Sequence, residues 1–317
     1  MQSARAVSME MRMTTPPALS PNRKPGEHHD HDGGYAADVA MARSLDRRRA
    51  LGLFGVASTA AIVAACGGED SSSVTSGGTA TPTPTPTPTS TSSTGTGSSG
   101  TCVSYASETN GPYPADGTNN SSGYTSNVIT QASFQRSDIR TSVATGNESP
   151  GIPLTFTITL ADVNNSCAAL AGYAIYIWHC DAEGRYSLYD IPAEDYRRGI
   201  QTTDANGQAT FTTIVPGCYN GRYPHIHFEV FSSLTNATTG RYAVLVSQFA
   251  VPKDVLTSIY ASDTRYTSSI AALNNTSISS DNVFGDNTSA QIDAMTMEMS
   301  GSIAAGYTAT ATVGIAT

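Results

Sequence analysis

Charge is scarce in this chain: only 14% of its 317 residues are Asp, Glu, Lys or Arg, with 17 basic residues against 26 acidic ones. No basic patch occurs after residue 65, which argues against a nucleic-acid binder. Long hydrophobic runs are missing too. No apolar stretch reaches the roughly 18 residues of a membrane span without Gly, Ser or Thr interrupting it, which excludes a polytopic membrane protein. No amphipathic helical segment of 10–15 residues alternates with strands, which argues against a parallel α/β sheet. Histidine is sparse: three of the six lie beyond residue 65, namely His179, His225 and His227. The space left by charge is filled by Thr, Ser, Ala and Gly, the composition of an exported or surface-exposed β-protein.

The little charge there is segregates. Residues 1–65 hold 8 basic and 6 acidic residues, whereas residues 66–317 hold 9 and 20. Within the first part, Asp46-Arg47-Arg48-Arg49 precedes an apolar stretch from Ala50 to Ala65 and then Cys66-Gly67. Positive residues, a short apolar segment and small residues at the cut are the order of an export signal. The paired arginines are similar to a twin-arginine signal, and Val63-Ala64-Ala65-Cys66 resembles a lipobox with Cys66 as the lipid anchor. Residues 1–65 are therefore expected to be an export leader. His28-His29-Asp30-His31-Asp32 lies upstream of the cut and reads as solvated leader, which also leaves Met41 open as the start. Residues 67–100 are Gly, Ser and Thr with a Thr-Pro repeat, too polar to build a core and stiffened by proline. Residues 66–100 read as an anchor and spacer for a domain held outside the cytoplasm.

Residues 101–317 read as one domain. Leu154, Phe156, Ile158 and Leu160 alternate with threonines, the mark of a half-buried strand. Further β-rich runs are 173–178, 209–215, 226–231, 242–251 and 307–315, and Asp204-Ala205-Asn206-Gly207 is a turn between two of them. Short helical pieces are expected near 191–199, 252–262 and 290–299. The pattern is all-β, a β-sandwich with short helices and long loops. Four cysteines remain in this part, and an even number in an exported domain suggests two disulfides. We expect Cys180–Cys218 and Cys102–Cys167.

Chemistry concentrates around His225-Ile226-His227. On a strand, positions i and i+2 face one side, so both imidazoles can address one metal while Ile226 enters the core. Pro216-Gly217-Cys218-Tyr219 and Arg222-Tyr223-Pro224 lead into this pair, and Trp178-His179-Cys180 with Gly184-Arg185-Tyr186-Ser187 lies upstream. In this order the motifs resemble those of the intradiol ring-cleavage dioxygenases, the family of protocatechuate 3,4-dioxygenase and catechol 1,2-dioxygenase. The resemblance runs from Glu108-Thr109-Asn110-Gly111-Pro112-Tyr113 to about Val251. It implies a prealbumin-like antiparallel sandwich and a non-haem Fe(III) centre with Tyr186, Tyr219, His225 and His227 as ligands. Tyr219 takes the place of the tyrosine that leaves when substrate binds. Arg222 takes the place of the arginine beside the ring, and Gln248 that of a glutamine behind it. Arg136, Asp138 and Arg140 resemble a segment of exported relatives.

Residue chemistry agrees with that implication. A phenol ordinarily titrates near 10 and needs a strong cation to ionise at neutral pH. Two phenolates and a hydroxide would balance a trivalent ion, whereas zinc favours Cys, His and carboxylate. The resemblance implies a catechol-type small molecule and O2 as partners, with both oxygen atoms ending in a muconate-type dicarboxylate. A non-catalytic module that captures catecholate or iron outside the cytoplasm is the alternative, and a purely structural adhesion sandwich is a third. His179, next to Trp178 on a strand, reads as a packing and hydrogen-bonding residue.

Overall fold

A computed structural model describes residues 102–121 and 124–317. The leader, Cys66 and the spacer read from sequence lie outside the described residues. Among the described residues, no helix is long and apolar enough to cross a membrane.

The expected all-β sandwich is present, as two open sheets. Strands β1 (Asp116–Ser121) and β2 (Tyr124–Asn127) form a small antiparallel ribbon. The first large sheet is built on β3 (Pro153–Asp162), where buried Leu154, Phe156, Ile158 and Leu160 alternate with Thr155, Thr157 and Thr159 on the other face. Short β4 (Ala168–Ala169) pairs with the end of β3. The second sheet begins with β5 (Ala174–Trp178), which pairs with β6 (Arg198–Thr202). The chain then returns to the first sheet as β7 (Gln208–Ile214), antiparallel to β3. β8 (His225–Phe231) and β9 (Leu245–Ala250) complete the second sheet in the order β6-β5-β8-β9.

Three helices follow: α1 (Lys253–Ser262), α2 (Thr267–Asn274) and α3 (Ser289–Met295), the last opened by a reciprocal Thr288–Gln291 capping box. β10 (Glu298–Ser302) and β11 (Gly306–Ile315) end the first sheet. The main core lies between the sheets. Phe156, Phe211 and Val313 of one meet Ile177, Ile226, Phe228 and Phe249 of the other, all fully buried.

Several expectations are corrected. The sandwich is not wholly antiparallel, because β11 runs parallel to β3 from Tyr307↔Leu154 to Ile315↔Asp162. Alternating sequence patterns carry no strand direction, so this could not be read in advance. Residues 191–199 are not helical: Pro192 sits in a turn, Arg197 takes a positive φ of 62°, and Arg198 begins β6. The run at 290–299 splits into α3 and β10. The Asp204 turn forms as read, with its carboxylate accepting from the Asn206 and Gln208 amides at 2.8 and 2.9 Å and Gly207 at φ 72°.

Of the two expected disulfides, Cys102–Cys167 is formed, with its Cα atoms 5.7 Å apart. Cys180 and Cys218 are not joined but are buried free thiols. Their side chains enter different clusters: Cys218 packs in the inter-sheet core and Cys180 in the aromatic cluster on the outer face of the second sheet. Each thiol is directed at a carbonyl, Cys180 at Gly217 (3.4 Å) and Cys218 at Arg222 (3.5 Å). Burial raises both thiols well above their ordinary range, Cys218 to about 12.

Candidate metal centre

The outer face of the second sheet carries the expected constellation. Strand alternation puts His225, His227 and Glu229 on that face of β8, while Ile226, Phe228 and Val230 enter the core. Across the ladders His227 pairs with Trp178 on one side and Gln248 on the other. The Trp178 and His227 rings stack at 4.8 Å and 5° between planes, which fixes the imidazole in rotation.

Tyr186 and Tyr219 arrive on two loops, one following β5 and the other joining β7 to β8. Backbone contact locks the loops together. Gly184 takes φ 84°, and a Cβ there would meet the Cys218 carbonyl at 2.7 Å. The Gly217 amide donates to the Asp181 carbonyl at 2.9 Å. A Cβ on Gly217 would lie 2.6 Å from that oxygen and 2.5 Å from the Ala182 carbonyl. Gly217→Ala is therefore expected to cost about 1–3 kcal/mol and to part the two tyrosines. Thermal unfolding checks this. An alanine variant with unchanged Tm would show that the loops have slack.

The four expected ligand residues are brought together. The Nε2 atoms of His225 and His227 lie 2.9 Å apart, and the Tyr186 hydroxyl lies 3.3 Å from His225 Nε2. The Tyr186 and Tyr219 rings are 5.6 Å apart, edge to face. All four side chains belong to residues no more than 2% exposed. His225 Nδ1 lies 2.6 Å from the Tyr223 carbonyl. A carbonyl only accepts, so Nδ1 carries the proton and Nε2 presents its lone pair to the centre. Burial, and then the Arg222 charge, push His225 down to about 3; burial and His225 hold His227 well below its ordinary value. Two neutral imidazoles and two phenols converge here. Among the described residues, no group of three His, Cys, Asp or Glu side chains is placed to hold a metal ion. The donor chemistry therefore fits a hard, high-valent cation better than zinc.

Arg222 and Gln248 stand together as expected. Arg222 Nη2 donates to Gln248 Oε1 at 2.6 Å, and Gln248 Nε2 donates to the Thr109 carbonyl at 3.0 Å. Both residues are fully buried. The Arg136, Asp138 and Arg140 segment lies elsewhere. Arg140 pairs with Asp138 at 2.7 Å, and Arg136 Nε donates to the Arg198 carbonyl at 3.1 Å.

His179 takes the bonding role expected of it, with Nδ1 2.7 Å from the Cys180 carbonyl and Nε2 2.7 Å from Thr213 Oγ1. Burial holds it well below its ordinary 6.5. The unfolded chain thus takes up a proton near pH 6.5 that the folded protein refuses, and stability is lost as pH falls below that value. In the metal-free protein, His179→Gln is expected to flatten the acid limb of the stability curve by up to about 1.4 kcal/mol per pH unit, measured by urea unfolding between pH 4 and 7. An unaltered slope would mean that His179 titrates normally.

Two neighbours of the site were not singled out from sequence. Tyr113 stands against Tyr186 (4.8 Å between ring centroids), Tyr189 (5.0 Å) and Tyr219 (5.9 Å). Its only signal was its place at the end of the Glu108–Tyr113 motif. Asp281 binds Arg222 and carried no signal at all.

Residues 123–261 match the family model described as Dioxygenase. No curated protein matches the chain. Similar solved structures include an intradiol ring-cleavage dioxygenase from Tetranychus urticae, at 22% identity over 58% of this chain and 87% of that one, with a TM-score of 0.48. They also include the dioxygenase domain of a dioxygenase carbohydrate-binding protein fusion from Streptomyces sp. SirexAA-E, at 22% identity over 68% and 99% of the two chains, with a TM-score of 0.39. A third is 3-chlorocatechol 1,2-dioxygenase from Rhodococcus opacus, at 18% identity over 56% and 63%, with a TM-score of 0.37. Residues 123–261, which carry Tyr186, Tyr219, His225 and His227, match the dioxygenase family model, and the chain is similar to intradiol ring-cleavage dioxygenases.

Proposed function

We propose that this protein is a ferric intradiol dioxygenase that opens a catecholic ring with O2 to give a muconate-type dicarboxylate. One observation carries the proposal: His225 Nε2 lies 2.9 Å from His227 Nε2 and 3.3 Å from the Tyr186 hydroxyl in a buried site that holds a second tyrosine. When bound, a ferric ion would supply the charge that keeps both phenols ionised and that opens a catecholate ring to O2.

The protein's own part is orientation, charge and proton handling. The Tyr223 carbonyl and Trp178 hold the two imidazoles with Nε2 inward. Tyr186 and Tyr219, with the two imidazoles, would hold the ion, and Tyr219 Oη would take the proton given up by a catechol hydroxyl. Arg222, held by Gln248, presents a fixed positive charge to the anion that develops on the ring. The tyrosine-rich wall of Tyr113, Tyr186 and Tyr219 suits a flat aromatic substrate.

Cys66 and the twin-arginine-like leader support an address outside the cytoplasm, with residues 67–100 as the tether. The visible spectrum of full-length protein from iron-sufficient cells tests the function. A broad tyrosinate-to-iron band that moves to longer wavelength on anaerobic addition of catechol is expected. A colourless protein that stays so after ferric reconstitution would sink the proposal.

A further inference from the structure

We infer that Asp281 is a positioning residue for Arg222, resting on the reading of the site just proposed. Asp281 lies outside the family-matched segment 123–261, in the stretch between α2 and α3. Its carboxylate and the guanidinium are both fully buried and paired: Arg222 Nε donates to Oδ2 at 3.0 Å, and Nη2 donates to Oδ1 at 3.3 Å. Three backbone amides hold the carboxylate itself. Tyr223 donates to Oδ2 at 2.7 Å, and Val283 and Phe284 donate to Oδ1 at 2.9 and 3.2 Å. A carboxylate with this many donors has one orientation, and it passes that orientation to the guanidinium fork.

A chain of bonds continues beyond Arg222. Nη2 also reaches Gln248, and Gln248 Nε2 reaches the Thr109 carbonyl. Thr109 is likewise outside the matched segment, on the N-terminal side. The two outer segments bond each other as well, through Asn287 Nδ2 and Glu108 Oε1 at 3.1 Å. The Arg222–Gln248 pair is thus clamped between two segments that the family model does not include. A buried guanidinium without a counter-charge is costly and would turn toward any acceptor. Asp281 removes that freedom, so the charge stands in place before the ring anion develops. Preorganised charge of this kind acts on the rate and little on substrate affinity.

The test uses full-length protein and the variants Asp281→Asn and Asp281→Glu. In metal-free, 15N-labelled wild type, the Arg222 Nε–H should give a resolved NMR signal exchanging with water roughly a hundredfold more slowly than in Asp281→Asn. In the iron-loaded protein, Asp281→Asn should keep the tyrosinate band and lower kcat by about tenfold or more, with KM within about threefold. Asp281→Glu should recover part of kcat. An unchanged kcat in Asp281→Asn alongside a lowered Tm would make the residue merely structural and overturn the inference. If the variants do not fold, the wild type decides: rapid exchange of the Arg222 Nε–H would overturn the inference, and slow exchange supports it. A wild type that lacks the tyrosinate band defeats the proposed function, a result separate from the exchange measurement.

Discussion

His225→Ala should give a folded protein that holds no iron, shows no visible band and has lost roughly a thousandfold or more of any ring-cleaving activity. The reason lies in how completely the structure prepares this one nitrogen. The Tyr223 carbonyl fixes the proton on Nδ1, and Nε2 faces both His227 Nε2 and the Tyr186 hydroxyl. Alanine removes the central member of a three-atom convergence and leaves a void that water can fill but that cannot donate a nitrogen lone pair. The backbone should not suffer, because Ile226 and Phe228 on the opposite face hold β8 in the core. Iron content by mass spectrometry of intact protein, with far-UV circular dichroism as the folding control, checks this. Tyr219→Phe makes a useful companion, since it removes only the hydroxyl. If both variants kept the wild-type metal content, the ligand assignment would be wrong.

The largest effect on stability is expected from Phe249→Ala. Phe249 is fully buried at the centre of the sandwich. It stacks on Phe228 at 4.3 Å and meets the edges of Phe156 at 4.9 Å and Tyr105 at 5.8 Å, so it joins both sheets and the N-terminal segment. Removing a phenyl ring from such a place costs about 3–5 kcal/mol, a fall in Tm on the order of 10 °C. The neighbouring Gln248 points to the other face, so below its own transition the variant should keep the tyrosinate band. Calorimetry and the spectrum together test this separation of core from site. A loss of less than about 1 kcal/mol would mean that the core repacks around the gap.

The sheet-forming half of the fold was legible because its strands obey a period of two. Leu154 to Leu160 and the His225–Phe231 run each show one buried face, and alternation on β8 placed both histidines together on sequence grounds alone. The remainder depended on relations that no local pattern records. Strand direction is one, as the parallel β11–β3 pair shows. Side-chain aim is another: Cys180 and Cys218 are near in space yet point into different clusters. The candidate ligand residues were named through the resemblance of their motifs to a family, and the fold brings their side chains together. Asp281 was not legible, because what makes it matter is an arginine 59 positions earlier. Helix α2 was missed as well; its Ser and Thr residues gave no amphipathic stripe, and it forms by packing Leu273 and Ser269 inward.

The parallel union of β11 with β3 also orders events in time. The first sheet is completed by a strand about 150 residues later in the chain than its partner, with the whole second sheet between them. Until residues 306–315 are available, one edge of β3 keeps its backbone groups unpaired, an open template for another chain. The sandwich therefore assembles late, through a long loop closure, and belongs with the slow folders of high contact order. A chain emerging from the ribosome must be shielded along that edge until its last strand arrives.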